Sequence, residues 1–169
     1  MTTAKKDFTI TRDFKAPKEV VFDAFAKSEA LAEWWGPKGT TLTVIALDFR
    51  PHGRFHYKMA GPDGNFMYGL FVYQNIQRAD LLEFVVSFAD EKANVVRAPF
   101  FDNWPLEIFN KIELTEKNGT TTIKLSGYPI NAKPDEEERY YSLLESMQQG
   151  FDGTFDQLDT YLQKIQQQS

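Results

Sequence analysis

The clearest structural signal in the chain lies in residues 140–165, which read YYSLLESMQQGFDGTFDQLDTYLQKI. Apolar side chains recur here at steps of three or four residues, namely Tyr140, Leu144, Met147, Phe151, Phe155, Leu158, Leu162 and Ile165. This spacing places them on one side of an α-helix. Pro134 and the acidic residues 135–138 are typical of a helix N-terminus. We therefore predict one C-terminal helix of about 30 residues, roughly 45 Å long, whose apolar stripe needs a broad apolar partner.

The middle of the chain predicts that partner, an antiparallel sheet. Runs that alternate in polarity, or that are rich in β-branched residues, lie at 8–14, 41–49, 54–59, 66–76, 81–88, 106–115 and 120–130. Turn sequences such as Gly61-Pro62-Asp63-Gly64 separate them. Two short helices are predicted between the first two strands, over 17–25 and 29–35. The aromatic and proline residues of 89–105 predict a loop that lies on apolar surface.

Length and composition restrict the class of protein. The 169 residues fit one domain, with a core at about 8–165 and flexible tails at 1–6 and 166–169. The absence of cysteine excludes disulfides and thiolate metal sites. A net charge of −5 does not suit a nucleic-acid binder. No stretch approaches the roughly 20 apolar residues of a membrane span, and no signal peptide is visible, so we expect a cytoplasmic protein.

Catalytic and metal-binding motifs are not found in the sequence. There is no Gly-x-Ser-x-Gly elbow, no Walker motif and no dinucleotide-binding glycine pattern. Of the two histidines, His52 lies in a turn, and His56 shares a strand face with Arg54 and Lys58, which we expect to face solvent. Positive charge there opposes a bound cation. We therefore predict no catalytic residue, no metal and no cofactor.

The order of elements and four segments resemble a known family. The segments are Trp34-Trp35-Gly36-Pro37, residues 48–55 (DFRPHGRF), Gly61-Pro62-Asp63-Gly64 and residues 147–158 (MQQGFDGTFDQL). They resemble the helix-grip fold of the START-like superfamily, in the branch related to the C-terminal domain of activators of the heat-shock-protein-90 ATPase. The resemblance implies an α+β fold in which a curved antiparallel sheet, in the order β-α-α-β(5–6)-α, wraps around a long C-terminal helix. Where the family usually has two glycines, this chain has His52-Gly53.

An apolar cavity between sheet and helix is the predicted site. The 15 Phe, 7 Tyr and 3 Trp residues fit either an aromatic core or a core with such a cavity. From strand alternation, the helix stripe and the aromatic loop we predict a lining of Trp35, Phe55, Tyr57, Met59, Phe71, Phe84, Phe88, Phe101, Trp104, Ile108, Asn110, Tyr141, Leu144, Met147 and Phe151. Asn110 is expected to face inward, where its amide bonds either protein and water or a ligand. Gly150 and Gly153 inside the helix allow two explanations, close packing on the sheet or space for a ligand.

Three functions stay open at this level. START-like domains often bind lipids, polyketides or other hydrophobic compounds, so the resemblance implies binding of a small hydrophobic or aromatic molecule. The alternatives are an enzyme of the polyketide cyclase/dehydratase type and a chaperone-activator-like protein-interaction module. A homodimer is also possible. Ligand binding is the preferred interpretation because the predicted cavity is apolar and has few polar groups.

Overall fold

The structure, a computed structural model, describes residues 7–167. One antiparallel sheet is built from β1 (Phe8–Phe14), β2 (Thr41–Leu47), β3 (Arg54–Ala60), β4 (Phe66–Gln77), β5 (Leu81–Ala89), β6 (Val95–Val96), β7 (Glu107–Lys117) and β8 (Thr120–Ile130). The strand order is β1-β8-β7-β5-β4-β3-β2, and the short β6 pairs with β5. The seven longer strands lie where alternation predicts them, and the α+β helix-grip fold class is confirmed.

Four helices accompany the sheet: α1 (Lys18–Ala26), α2 (Ser28–Trp34), α3 (Pro134–Ser142) and α4 (Leu144–Gln167). The prediction of one unbroken C-terminal helix is wrong, because α3 and α4 are separated at Leu143. The Ser142 hydroxyl donates to the carbonyl oxygen of Arg139 at 2.7 Å. The Leu143 amide donates to the carbonyl oxygen of Tyr140, three residues back, and not to that of Arg139, four residues back, as in a regular α-helix. A serine side chain that competes for helix carbonyls in this way interrupts the regular hydrogen-bond ladder.

The second half of α4 anchors the helix in the core. Phe155, Leu158 and Leu162 are fully buried, and Phe155 packs edge-on against Phe14 of β1 at 5.9 Å between ring centroids. The first half is different, because Met147 and Phe151 are only partly buried. The helix therefore packs tightly at its C-terminal half, whereas its N-terminal half leaves space above the sheet.

One expectation about exposure needs correction. His56 was expected to face solvent, but only 5% of it is exposed, and its Nε2 lies 2.9 Å from the backbone carbonyl oxygen of Asp90. The turn that connects β5 to β6 brings Asp90 over this part of the sheet, which strand alternation alone does not reveal. Of the tails predicted at 1–6 and 166–169, residues 1–6 and 168–169 lie outside the described residues, and Gln166 and Gln167 continue α4.

Candidate functional site

A cavity of about 440 Å³ lies between the concave side of the sheet and the first half of α4. Its wall combines five strands with both C-terminal helices, the segment after α2 and the loop that precedes β7. The lining residues are Phe8, Trp35, Gly36, Pro37, Thr40, Tyr57, Met59, Met67, Tyr68, Gly69, Val86, Ser87, Phe88, Phe100, Trp104, Ile108, Asn110, Tyr140, Met147, Gly150, Phe151 and Thr154. The wall is therefore dominated by aromatic and aliphatic side chains, with a few neutral polar groups.

Most of the residues predicted from the sequence meet at this cavity. The structure places Trp35, Tyr57, Met59, Phe88, Trp104, Ile108, Asn110, Met147 and Phe151 on its wall. These positions come from the inward face of the strands, from the apolar stripe of the helix and from the aromatic loop. Local periodicity predicts the inward orientation that these side chains have.

Three predicted phenylalanines lie elsewhere, because they pack against each other instead of facing the space. Phe71 and Phe84 stack at 4.4 Å between ring centroids, and Phe55 packs edge-on against Phe71 at 5.1 Å. All three are buried in the core. Trp35, which does line the cavity, packs edge-on against Phe71 at 5.2 Å. The inward face of the sheet is thus shared between a packed aromatic core and the open cavity.

The other three predicted residues are displaced by local geometry. Phe101 packs under the Arg139 guanidinium, 4.4 Å from its ring centroid, so the neighbouring Phe100 lines the cavity instead. Tyr140, which precedes the helix break at Leu143, lines the cavity, whereas Tyr141 and Leu144, which were expected there, do not. Tyr140 belongs to the same stripe, so the signal that would have found it was present. Phe8 could likewise have been found by its place on the inward face of β1.

A neutral polar pair, Asn110 and Tyr140, forms one part of the wall. Asn110 is directly opposite Gly127 in the pairing of β7 with β8. A Cβ added to Gly127 would lie 2.5 Å from Asn110 Oδ1 and 3.2 Å from the Tyr140 hydroxyl. Because real Cβ atoms essentially never come as close as 2.5 Å, the Asn110 amide would have to shift if Gly127 carried a side chain. Asn110 faces inward, as expected, and is 7% exposed.

The electrostatic environment of the cavity favours uncharged groups. None of the lining residues in the described part of the chain carries a formal charge at neutral pH. Burial raises the pKa of Tyr57 to about 12, and burial is also the main cause that raises the pKa of Tyr140. Both phenols are therefore protonated at physiological pH. Within residues 7–167, no group of three or more carboxylate and imidazole side chains is arranged to hold a metal ion.

An ion pair connects the aromatic loop to α3. Arg97 bonds the buried carboxylate of Glu136 and also donates to the carbonyl oxygen of Trp104 at 3.2 Å. The backbone N–H of Lys133 and the Arg97 guanidinium hold the pKa of the Glu136 carboxyl below its usual range. Arg97 therefore connects the two ends of the segment 97–104 to each other and to α3. This segment brings Phe100 and Trp104 to the cavity.

The two helix glycines have different surroundings. A Cβ added to Gly150 would meet no atom within 4 Å, and Gly150 lines the cavity. A Cβ added to Gly153 would touch the Lys38 side chain at 3.4 Å, an ordinary contact. Close packing on the sheet therefore does not explain Gly150, whereas space in the cavity does.

Comparison with known proteins places this architecture in a family. The family of activator of Hsp90 ATPase homolog 1-like proteins matches residues 15–163. The chain belongs to this family. Its members share the START-like fold that the sequence motifs predicted. No curated protein matches the sequence.

Solved structures agree with this membership. A protein from Arthrobacter aurescens is 26% identical, with a TM-score of 0.78 over 94% of this chain and 86% of its own. A protein from Mycobacterium smegmatis is 28% identical, with a TM-score of 0.73 over 94% of each chain. The AHSA1 protein from Silicibacter pomeroyi, at 15% identity, shares the fold, with a TM-score of 0.68 over 95% of this chain and 99% of its own. None of the helices described between residues 7 and 167 is long and apolar enough to cross a membrane.

Proposed function

We propose that this AHSA1-like domain binds a small hydrophobic or aromatic molecule in the cavity between the sheet and α4. The carrying observation is the cavity itself, about 440 Å³ and lined mainly by apolar side chains. This volume lies in the range of ordinary small-molecule sites, roughly 300–1,000 Å³. The cytoplasmic location predicted from the sequence is part of the same proposal.

Two features of the wall support binding. Met59, Met67 and Met147 are flexible, polarisable side chains that adapt to the shape of a ligand. Gly150 leaves space where any other residue would place a side chain. A glycine in a helix lowers the stability of the helix by about 1 kcal/mol relative to alanine. Space for a ligand would explain why glycine is present at position 150 despite this loss.

The described cavity wall has no acidic, basic or imidazole side chain that a cyclase or dehydratase could use as a general acid or base. General acid–base catalysis is most efficient when a group titrates near the working pH. The only titratable groups on the described wall are phenols, and burial raises the pKa of Tyr57 and Tyr140 further from neutrality. Ligand binding needs no such group, so we prefer it to the enzymatic alternative.

Native mass spectrometry of freshly purified protein, followed by denaturing extraction, tests the proposal. We expect a reproducible added mass of a few hundred daltons, the size that fits such a cavity. Gly150→Leu places a side chain in the cavity and should abolish the added mass. Gly153→Leu is the matched control, because it adds the same side chain one turn along the helix, beside Lys38, and should leave the added mass in place.

A titration covers ligands that are lost during purification. The neutral fluorophore N-phenyl-1-naphthylamine should increase in fluorescence on binding to the wild type and to Gly153→Leu, but not on mixing with Gly150→Leu. If the wild type carries no added mass and also leaves the fluorophore unchanged, the binding proposal is wrong.

A further inference from the structure

The amide of Asn110 lacks a partner in the protein. Within residues 7–167, its side chain makes no hydrogen bond, although 93% of the residue is shielded from solvent, since 7% is exposed. Every fully enclosed side-chain nitrogen or oxygen in that part of the chain has a partner. The free atoms of Asn110 must therefore face the cavity, which it lines. An unpaired amide in an apolar site is unfavourable unless something in the site bonds it.

The Tyr140 hydroxyl is the second free polar group at this position. It makes no hydrogen bond to the described residues, and it lies beside the same point above Gly127 as Asn110 Oδ1. Asn110 offers N–H donors, and the protonated phenol offers one O–H donor. Among backbone groups, unsatisfied buried N–H donors are rarer in proteins than unsatisfied carbonyl oxygens, and we apply the same preference to these two side chains. We therefore expect the ligand atom beside the Asn110–Tyr140 pair to be a hydrogen-bond acceptor.

The charge around the pair restricts this acceptor further. No lysine, arginine or histidine lines the described cavity, so a carboxylate would lose its hydration without gaining a counter-ion. The Asp7 carboxylate is close enough to contribute to the raised pKa of Tyr140, after burial and Tyr141. Its negative charge also opposes an anion at this end of the cavity.

We propose that Asn110 and Tyr140 form an anchor for a neutral carbonyl oxygen, so that the ligand is an uncharged hydrophobic ketone, aldehyde or ester. The anchor rests on the proposed binding function and adds the class of ligand to it. The hydrophobic body of the ligand lies against the aromatic and methionine side chains, and its carbonyl oxygen accepts hydrogen bonds from the Asn110 amide and the Tyr140 hydroxyl. This arrangement satisfies both donors at once.

Three probes of similar size separate the contribution of the carbonyl oxygen from those of hydrophobic contact and of charge in isothermal titration calorimetry. They are 2-acetylnaphthalene, its carbon isostere 2-isopropenylnaphthalene, which lacks the oxygen, and the anion 2-naphthoate. We expect the ketone to bind about tenfold more tightly than the isostere, as one buried hydrogen bond gained and one amide left unpaired would give. We expect 2-naphthoate to bind more weakly than either.

Variants assign the preference to the two side chains. Asn110→Leu should bind both neutral probes with nearly equal affinity, and Tyr140→Phe should reduce the preference for the ketone. Tyr128→Phe is the matched control, because Tyr128 lies on β8 against Phe109 and outside the cavity wall, and it should keep the full preference. If Asn110→Leu does not fold, the wild-type probe series and Tyr140→Phe still decide the question.

The outcomes distinguish the anchor from the binding function. Equal binding of the ketone and the isostere by the wild type, tightest binding of 2-naphthoate, or an unchanged ketone preference in Asn110→Leu would each overturn the anchor and leave hydrophobic binding intact. If none of the naphthalene probes and no N-phenyl-1-naphthylamine binds, the proposed function itself fails, and the anchor with it.

Discussion

Replacing Gly150 with alanine should make the domain more stable while it narrows the cavity. Gly150 lies inside α4 and is not among the glycines with positive φ, so alanine can adopt its backbone conformation. The added methyl group meets no atom within 4 Å. In a helix interior, glycine is less favourable than alanine by about 0.5–1 kcal/mol. We expect the free energy of unfolding to rise by about that amount.

Thermal and urea unfolding of ligand-free protein measure the effect. For a domain of this size, about 1 kcal/mol corresponds to a rise in Tm of roughly 2–4 °C. Gly153→Ala is the control, because it makes the same change in the same helix, and its methyl group meets only the flexible Lys38 side chain at 3.4 Å. We expect both variants to be stabilised. A fall in stability for Gly150→Ala alone would show that side chains already occupy this space, and the reasoning about the cavity would be refuted.

The remaining predictions concern the framework of the cavity. Gly69→Ala should destabilise the fold by about 1–3 kcal/mol in urea unfolding, since the new methyl group would overlap the Tyr57 ring; a neutral result would contradict the close packing. Phe155→Ala should cost about 3–5 kcal/mol in the same assay, because this side chain is fully buried. The pKa of Glu136 is lowered on folding, so the stability it adds is present above its unfolded pKa of about 4.3 and is lost as the pH falls below that. The stability difference between the wild type and Glu136→Gln should therefore shrink between pH 7 and pH 3, and a constant difference would refute the assignment.

Most of the fold and part of the site follow from periodicity. Alternation in β7 places Ile108 and Asn110 on one face, and the structure puts both on the cavity wall. Alternation predicts the face correctly because the register of a strand is strongly specified. A slip by one residue would move every inward side chain to the outward face of the sheet. The family motifs were equally informative, since they indicated the START-like fold that the comparisons confirm.

Periodicity could not predict which inward side chains are enclosed in the core and which line the cavity. Phe55, Phe71 and Phe84 share the inward face with true lining residues, but ring-to-ring packing encloses them in the core. Which aromatic residues pack together depends on the curvature of the sheet and on the position of the helix above it. Those are properties of the assembled fold, and no local pattern encodes them.

The apolar stripe of the C-terminal helix serves two purposes that look alike in sequence. In the second half of α4 it is core, because Phe155 and Leu158 are fully buried. In the first half it is a wall, because Met147 and Phe151 face the cavity and stay partly exposed. Gly150 lies in this first half and faces open space. A helix held firmly at one end can keep its other end away from the sheet, so the same stripe that stabilises the domain also leaves room for a ligand.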